Sequence, residues 1–173
     1  MSTALVIIDL QQGMFSDKDA PYRGDEVLRC AGELLKRARA SHVPVFHVQH
    51  DGGPGDILCK GSAGWQHHPA VAPAAGEAVI EKRHSSAFHG TDFHNNLQDA
   101  GVDRLVIAGM QTEFCVDSAC RAAVALGYKI VLASDAHTTF DSPALTADRI
   151  VEHHNRTLSG GFVELSASDE IQF

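Results

Sequence analysis

Three residues of this 173-residue sequence have types and placements suited to nucleophilic catalysis. Cys115 stands in the opening turn of a helix predicted to follow the strand-like run RLVIAG. With Thr112 as N-cap it would be the third helical residue, where free backbone N–H groups and the positive end of the helix dipole favour thiolate over thiol. The thiolate is the nucleophilic form; the plain alternative is a buried core cysteine at a helix start. Asp9 closes the apolar run ALVIIDL, where burying a charge is costly unless it has partners. It reads either as a carboxylate capping a nearby loop or as a base that takes a thiol proton and returns it to a leaving group. Lys82 ends the run AVIEK. Alone it reads as a solvated lysine at a strand end; between Asp9 and Cys115 its ammonium would favour both negative charges.

The elements that must position these residues alternate in type. Residues 4–10 form a continuous apolar run, the signature of a buried parallel strand. Residues 25–41 carry Val27, Leu28, Ala31, Leu34, Leu35 and Ala38 on one helical face. Strands are predicted over 43–49, 78–82, 104–109, 129–134 and 161–165. Helices are predicted over 91–100, with Thr91 as N-cap, over 114–126, closed by Gly127, and over 145–156. Residues 51–76, rich in Gly, Pro and Ala, form a long segment of the kind that is usually functional inside a compact domain. No internal repeat is present. Six apolar strands separated by helices predict a single α/β domain over 1–173: a doubly wound, mostly parallel six-stranded sheet with helices on both faces. In such sheets ligands sit beyond the carboxyl ends of the strands, where strand order reverses. Asp9, Lys82 and the turn GMQTEFC all fall at carboxyl ends.

Composition narrows the partners. The formal charge is −8, with 44% hydrophobic and 21% charged residues. No Lys/Arg cluster marks a nucleic-acid or anionic-membrane footprint. The first residues lack the basic flank and long apolar core of a secretory signal, and no stretch reaches the roughly 20 apolar residues of a membrane helix. A cytoplasmic location is expected. The four cysteines, Cys30, Cys59, Cys115 and Cys120, have neither disulfide-framework nor C-x-x-C spacing. Cys120, inside the helix, reads as packing.

Three separated motifs, VIIDLQQGMF, EKRHSSAFHGTDFHNNL and LVIAGMQTEFCVDSACRAAVALGYKIVLASDAHTTF, occur in the order seen in the isochorismatase-like cysteine hydrolases, and the chain resembles that family over about 4–162. The group includes nicotinamidases, N-carbamoylsarcosine amidase and streptothricin hydrolase. The resemblance implies the fold above and a catalytic triad of Asp9, Lys82 and Cys115. It implies a cis peptide between Met110 and Gln111, and an oxyanion hole built from the backbone N–H groups of Gln111 and Cys115. It also implies hydrolysis of a C–N bond (amide, carbamoyl or lactam) of a small molecule through a thioester, no cofactor, and a homo-oligomer, dimer or tetramer, in which a neighbouring subunit could complete the pocket. Two other readings stand beside it: vinyl-ether hydrolysis of the isochorismatase type, and a non-catalytic binding or redox-sensing protein.

Phe15, Trp65, Phe88, Glu113 and His137 are the candidate substrate-pocket residues. Trp65 and Phe88 would form an apolar wall, and His137, after the fifth strand, could contact substrate or be a satisfied structural histidine. In nicotinamidases an Asp-x-His pair and further histidines hold a metal. Gln49 and Asp51 occupy the places of that pair, so the pattern is broken and no metal is expected. His47, His50, His67 and His68 remain residues able to ligate zinc. His153, His154 and Asn155, late in the last helix, read as structural or interfacial.

Overall fold

The structure, a computed structural model, describes residues 2–16 and 20–173. Six parallel strands form one sheet in the order β3-β2-β1-β4-β5-β6. They are β1 (Thr3–Ile8), β2 (Val45–His50), β3 (Ala78–Lys82), β4 (Arg104–Met110), β5 (Lys129–Thr138) and β6 (Glu164–Ser166). Period-2 alternation divides the core. Leu5 and Ile7 of β1 face helix α1 (Gly24–Ala40), whereas Ala4, Val6 and Ile8 face α2 (Phe93–Asp99), α3 (Asp117–Ala125) and α4 (Ala147–Ser159). All six apolar positions expected on the inner face of α1 are buried. The sheet is thus covered on both faces, which is why its central strands read as unbroken apolar runs.

From β1 the strand order runs one way through β2 and β3, and the other way through β4 to β6. The reversal lies between β1 and β4, so the crevice expected of an open parallel sheet opens beyond Ile8 and Met110.

Several elements shift by one to three residues from their sequence expectation, among them β2, α4 and β6, and three differences bear on the site. A π-helical turn, Thr112–Val116, precedes α3, with Gln111 rather than Thr112 at its N-cap. Cys115 therefore sits in a wide turn that tightens into the α-helix, not at the third position of a regular one. β5 runs to Thr138, past the expected end at 134, because its pairing with β4 slips: Ile107 faces Leu132, yet Gly109 faces His137. Extra β5 residues in that step extend the strand and carry His137 into the sheet. Thr91 lies one residue before the cap position of α2, which Asp92 takes, but its Oγ1 still accepts the Phe93 N–H at 3.3 Å.

Candidate active site

Asp9 leaves β1 in a left-handed conformation (φ 51°), its N–H donating to the Val48 carbonyl at 3.0 Å. This local bend is worth noting, since only Gly, Asn and Asp visit the region routinely. Lys82 ends β3, two strands away. Its side chain crosses the end of β2 and is itself fully buried. Its Nζ lies 2.7 Å from Asp9 Oδ2, 3.2 Å from Cys115 Sγ and 3.2 Å from His50 Nδ1. Three acceptors thus meet the three N–H donors of an ammonium group. Asp9 Oδ1 is buried and has no hydrogen-bond partner among the described residues. The Met110–Gln111 peptide is cis. Asp9, Gln111 and Cys115 all face one cavity of about 300 Å³, closed on other sides by His50, the Asp56–Leu58 stretch and Phe114.

The state of the thiol differs from the sequence expectation. Burial and then the adjacent Asp9 charge push Cys115 up to about 12, and Lys82 pulls it down by less. The resting group is a thiol, not the thiolate expected from a helix terminus and a lysine. The reason is chiefly burial of the sulfur and then the neighbouring Asp9 charge, which the Lys82 ammonium, shared with that carboxylate, does not offset. A nucleophile here needs a base at the moment of attack, and Asp9 carries the unpartnered oxygen that could serve.

A model of the isochorismatase domain family matches residues 3–164, nearly the whole chain. The chain belongs to the isochorismatase family. It is 37% identical over 169 residues to a streptothricin hydrolase of Streptomyces noursei, covering 98% of this chain and 66% of that protein. A second streptothricin hydrolase of that organism is covered over 60% of its length, so the chain spans about two thirds or less of these relatives. Nicotinamidase 3 of Arabidopsis thaliana is 26% identical over 98% of this chain and 86% of its own. Among solved structures, an isochorismatase from Pseudomonas putida superposes with a TM-score of 0.92 at 29% identity, covering 98% of this chain and 90% of that one.

Within this family fold, two features hold the turn that carries Cys115. The first is Gly109, at φ 138°, just before Met110. A Cβ there would lie 2.1 Å from the Ile8 carbonyl oxygen, so only glycine lets β4 and β1 approach this closely beside Asp9. The second is a buried relay around His137, for which the sequence left both a substrate contact and a satisfied structural role open. His137 is 2% exposed, with Nδ1 2.8 Å from Thr112 Oγ1 and Nε2 2.8 Å from Asn155 Oδ1, while Asn155 Nδ2 donates to the Ser134 carbonyl at 3.3 Å. That last bond turns Oδ1 towards the ring, which makes Nε2 the protonated nitrogen and leaves Nδ1 to accept the Thr112 hydroxyl. His137 positions the turn; it does not line the cavity.

Burial lowers His137 to about 4. Between pH 6.5 and 4 the unfolded chain therefore binds a proton that the folded chain refuses. Stability should fall as pH drops through that window, by about 3 kcal/mol from this residue alone. Urea midpoints measured from pH 7.5 to 4.5 should decline more steeply for the wild type than for His137→Gln, by about one proton. Equal slopes would show that the ring is not held neutral by the fold.

The other expected pocket residues also lie off the cavity wall. Phe15 packs edge-on against His68 at 5.3 Å, and Phe88 lies against Phe93 and Tyr128 in the core. Trp65 contributes its backbone: its carbonyl accepts from Gln11 Nε2 at 2.8 Å and Gln49 Nε2 at 2.9 Å, which ties the long loop to β2 and to the segment that follows β1. Glu113 is half-buried, with Oε2 unpartnered among the described residues. The lining residues that sequence reading passed over are Met14, Asp56, Ile57, Leu58, Ser85 and Phe114. The signal for three of them was the Gly/Pro-rich segment, which marked a functional loop without marking which of its side chains turn inwards.

The residues in the metal positions are committed elsewhere. Asp51 Oδ1 accepts the Gly53 and Lys60 amides at 3.0 and 3.1 Å, and Oδ2 accepts Arg83 at 2.7 Å. Those amide donors, with Arg83, hold its carboxyl at about 2. His47 lies on the opposite face of β2 from His50, with Nε2 2.9 Å from Glu77. Among the described residues no three His, Cys, Asp or Glu side chains converge as metal ligands, and no helix is long and apolar enough to cross a membrane.

Proposed function

We propose that this chain hydrolyses a C–N bond (amide, carbamoyl or lactam) of a small molecule, with Cys115 as nucleophile. The observation that carries the reading is the contact of one buried ammonium, Lys82 Nζ, with both Asp9 Oδ2 (2.7 Å) and Cys115 Sγ (3.2 Å) at the wall of a single cavity. Membership of a hydrolase family, with relatives named for streptothricin and nicotinamide, supports it.

Asp9 takes the Cys115 proton as sulfur attacks the carbonyl carbon. The resulting oxyanion sits against the N–H groups of Gln111 and Cys115, each such donor contributing about 3 kcal/mol. Asp9 then passes the proton to the leaving nitrogen, the C–N bond breaks, and a thioester remains. Water gives a proton to Asp9 and attacks the thioester; the C–S bond breaks and the sulfur regains its proton from Asp9. Lys82 stays between the two groups throughout and balances whichever is negative. The resting thiol counts against redox sensing, which needs a thiolate open to oxidants.

A panel of primary amides, N-carbamoyl compounds, lactams and one vinyl ether, assayed for released amine or pyruvate, tests the reading. Amine release from at least one nitrogen compound is expected. Substrate should also slow iodoacetamide labelling of Cys115, read by peptide mass spectrometry. Turnover of the vinyl ether alone would replace C–N hydrolysis with the isochorismatase reaction.

A further inference from the structure

Among the described residues the charges around the cavity do not balance. Asp9 and Lys82 answer one another at 2.7 Å. The cations nearest in the surrounding loops are paired outside the cavity, Lys60 with Glu81 and Arg83 with Asp51. His50, the one basic side chain in the wall among the described residues, has its protonation disfavoured by burial and then by Lys82. Asp56 alone remains as a lining carboxylate without a counter-ion among the described residues.

Asp56 is also built in. Its Oδ1 accepts the Leu58 N–H at 2.7 Å, and its own N–H donates to the Gly53 carbonyl at 3.2 Å. Its carboxyl lies so close to Gly52 that a Cβ there would come within 2.3 Å of the Asp56 Cγ. Leu58 is buried, and Asp51 fastens both ends of the segment through the Gly53 and Lys60 amides. The second carboxylate oxygen has no hydrogen-bond partner among the described residues, and the side chain is open to solvent.

We propose that Asp56 is a specificity-determining residue that selects substrates carrying an ammonium or guanidinium group near the scissile bond and disfavours those carrying a carboxylate. This rests on the amide-hydrolase reading above. A fixed negative charge in the wall of the cavity that Cys115 also lines attracts a cation and repels an anion, and it costs no reorganisation because the turn already holds it.

The first test needs no substrate. Cys115 is modified with a trimethylammonioethyl or a sulfonatoethyl methanethiosulfonate, and the rates are read by peptide mass spectrometry to separate Cys115 from the partly exposed Cys59. The cation-to-anion rate ratio, normalised to a small thiol in solution, should exceed one. It should fall about fivefold in Asp56→Asn, fall further in Asp56→Lys, and shrink in high salt. An unchanged ratio in a folded Asp56→Asn protein overturns the proposal.

The second test uses a matched pair of amides, one cationic and one neutral. Asp56→Asn should lower kcat/KM for the cationic amide about tenfold and leave the neutral one within about twofold. An equal loss for both overturns the proposal, because it would make Asp56 a purely structural residue. If the wild type cleaves neither amide, the reaction assigned under Proposed function fails, while the rate ratio still decides the role of Asp56.

Discussion

Cys115→Ala is expected to lose about four or more orders of magnitude in kcat while keeping its fold. The sulfur forms the covalent intermediate, so no other group can stand in for it, and members of a catalytic unit fail together. The structural cost should be small. Cys115 packs only at the border of the core, and Lys82 keeps Asp9 and His50 as acceptors when the sulfur goes. The unfolding free energy from urea titration should change by less than about 1 kcal/mol. Steady-state kinetics on the best amide of the panel, with circular dichroism as a control, measures both. Activity within tenfold of wild type would remove the thioester from the mechanism.

Asp9→Asn and Lys82→Met should each destabilise by about 3–5 kcal/mol, because each leaves the opposite charge buried without its partner. The exposures matter here: Lys82 is 0% and Asp9 5% exposed, so solvent does little to screen the pair. The double variant removes both charges and should be far less destabilised than the two single costs combined. A double-mutant cycle from urea unfolding at pH 7.5 would read that coupling. Costs that add within about 0.5 kcal/mol would show that the contact carries no energy. Activity should not follow stability. Asp9→Asn has no base for a thiol that rests protonated near 12, so turnover should drop about a thousandfold or more in all variants lacking the carboxylate.

Much of this was legible from residue order. A run such as ALVIIDL can be satisfied only as a strand covered on both faces, and the alternation of such runs with amphipathic helices leaves few arrangements besides a doubly wound sheet. The rule that ligands sit at carboxyl ends then drew attention to Asp9, Lys82 and the segment before Cys115. The same local logic left His137 open between a substrate contact and a structural role, since a slip in register between β4 and β5 is a property of two strands and leaves no mark on either. It misplaced Trp65, whose contribution to the site is a backbone carbonyl that no residue type announces.

Residue type and spacing settled the parallel sheet, the helix faces and the placing of an acid, a lysine and a thiol at strand ends, because burial and period act over a few neighbouring residues. Tertiary contact alone decided that burial and the Asp9 charge outweigh the lysine at the sulfur, that the sulfur therefore rests as a thiol, and that Asp56 rather than Trp65 faces the cavity. Charge balance and desolvation depend on distances in space between groups up to about a hundred positions apart in the chain, and those distances come into being only when the strands pair.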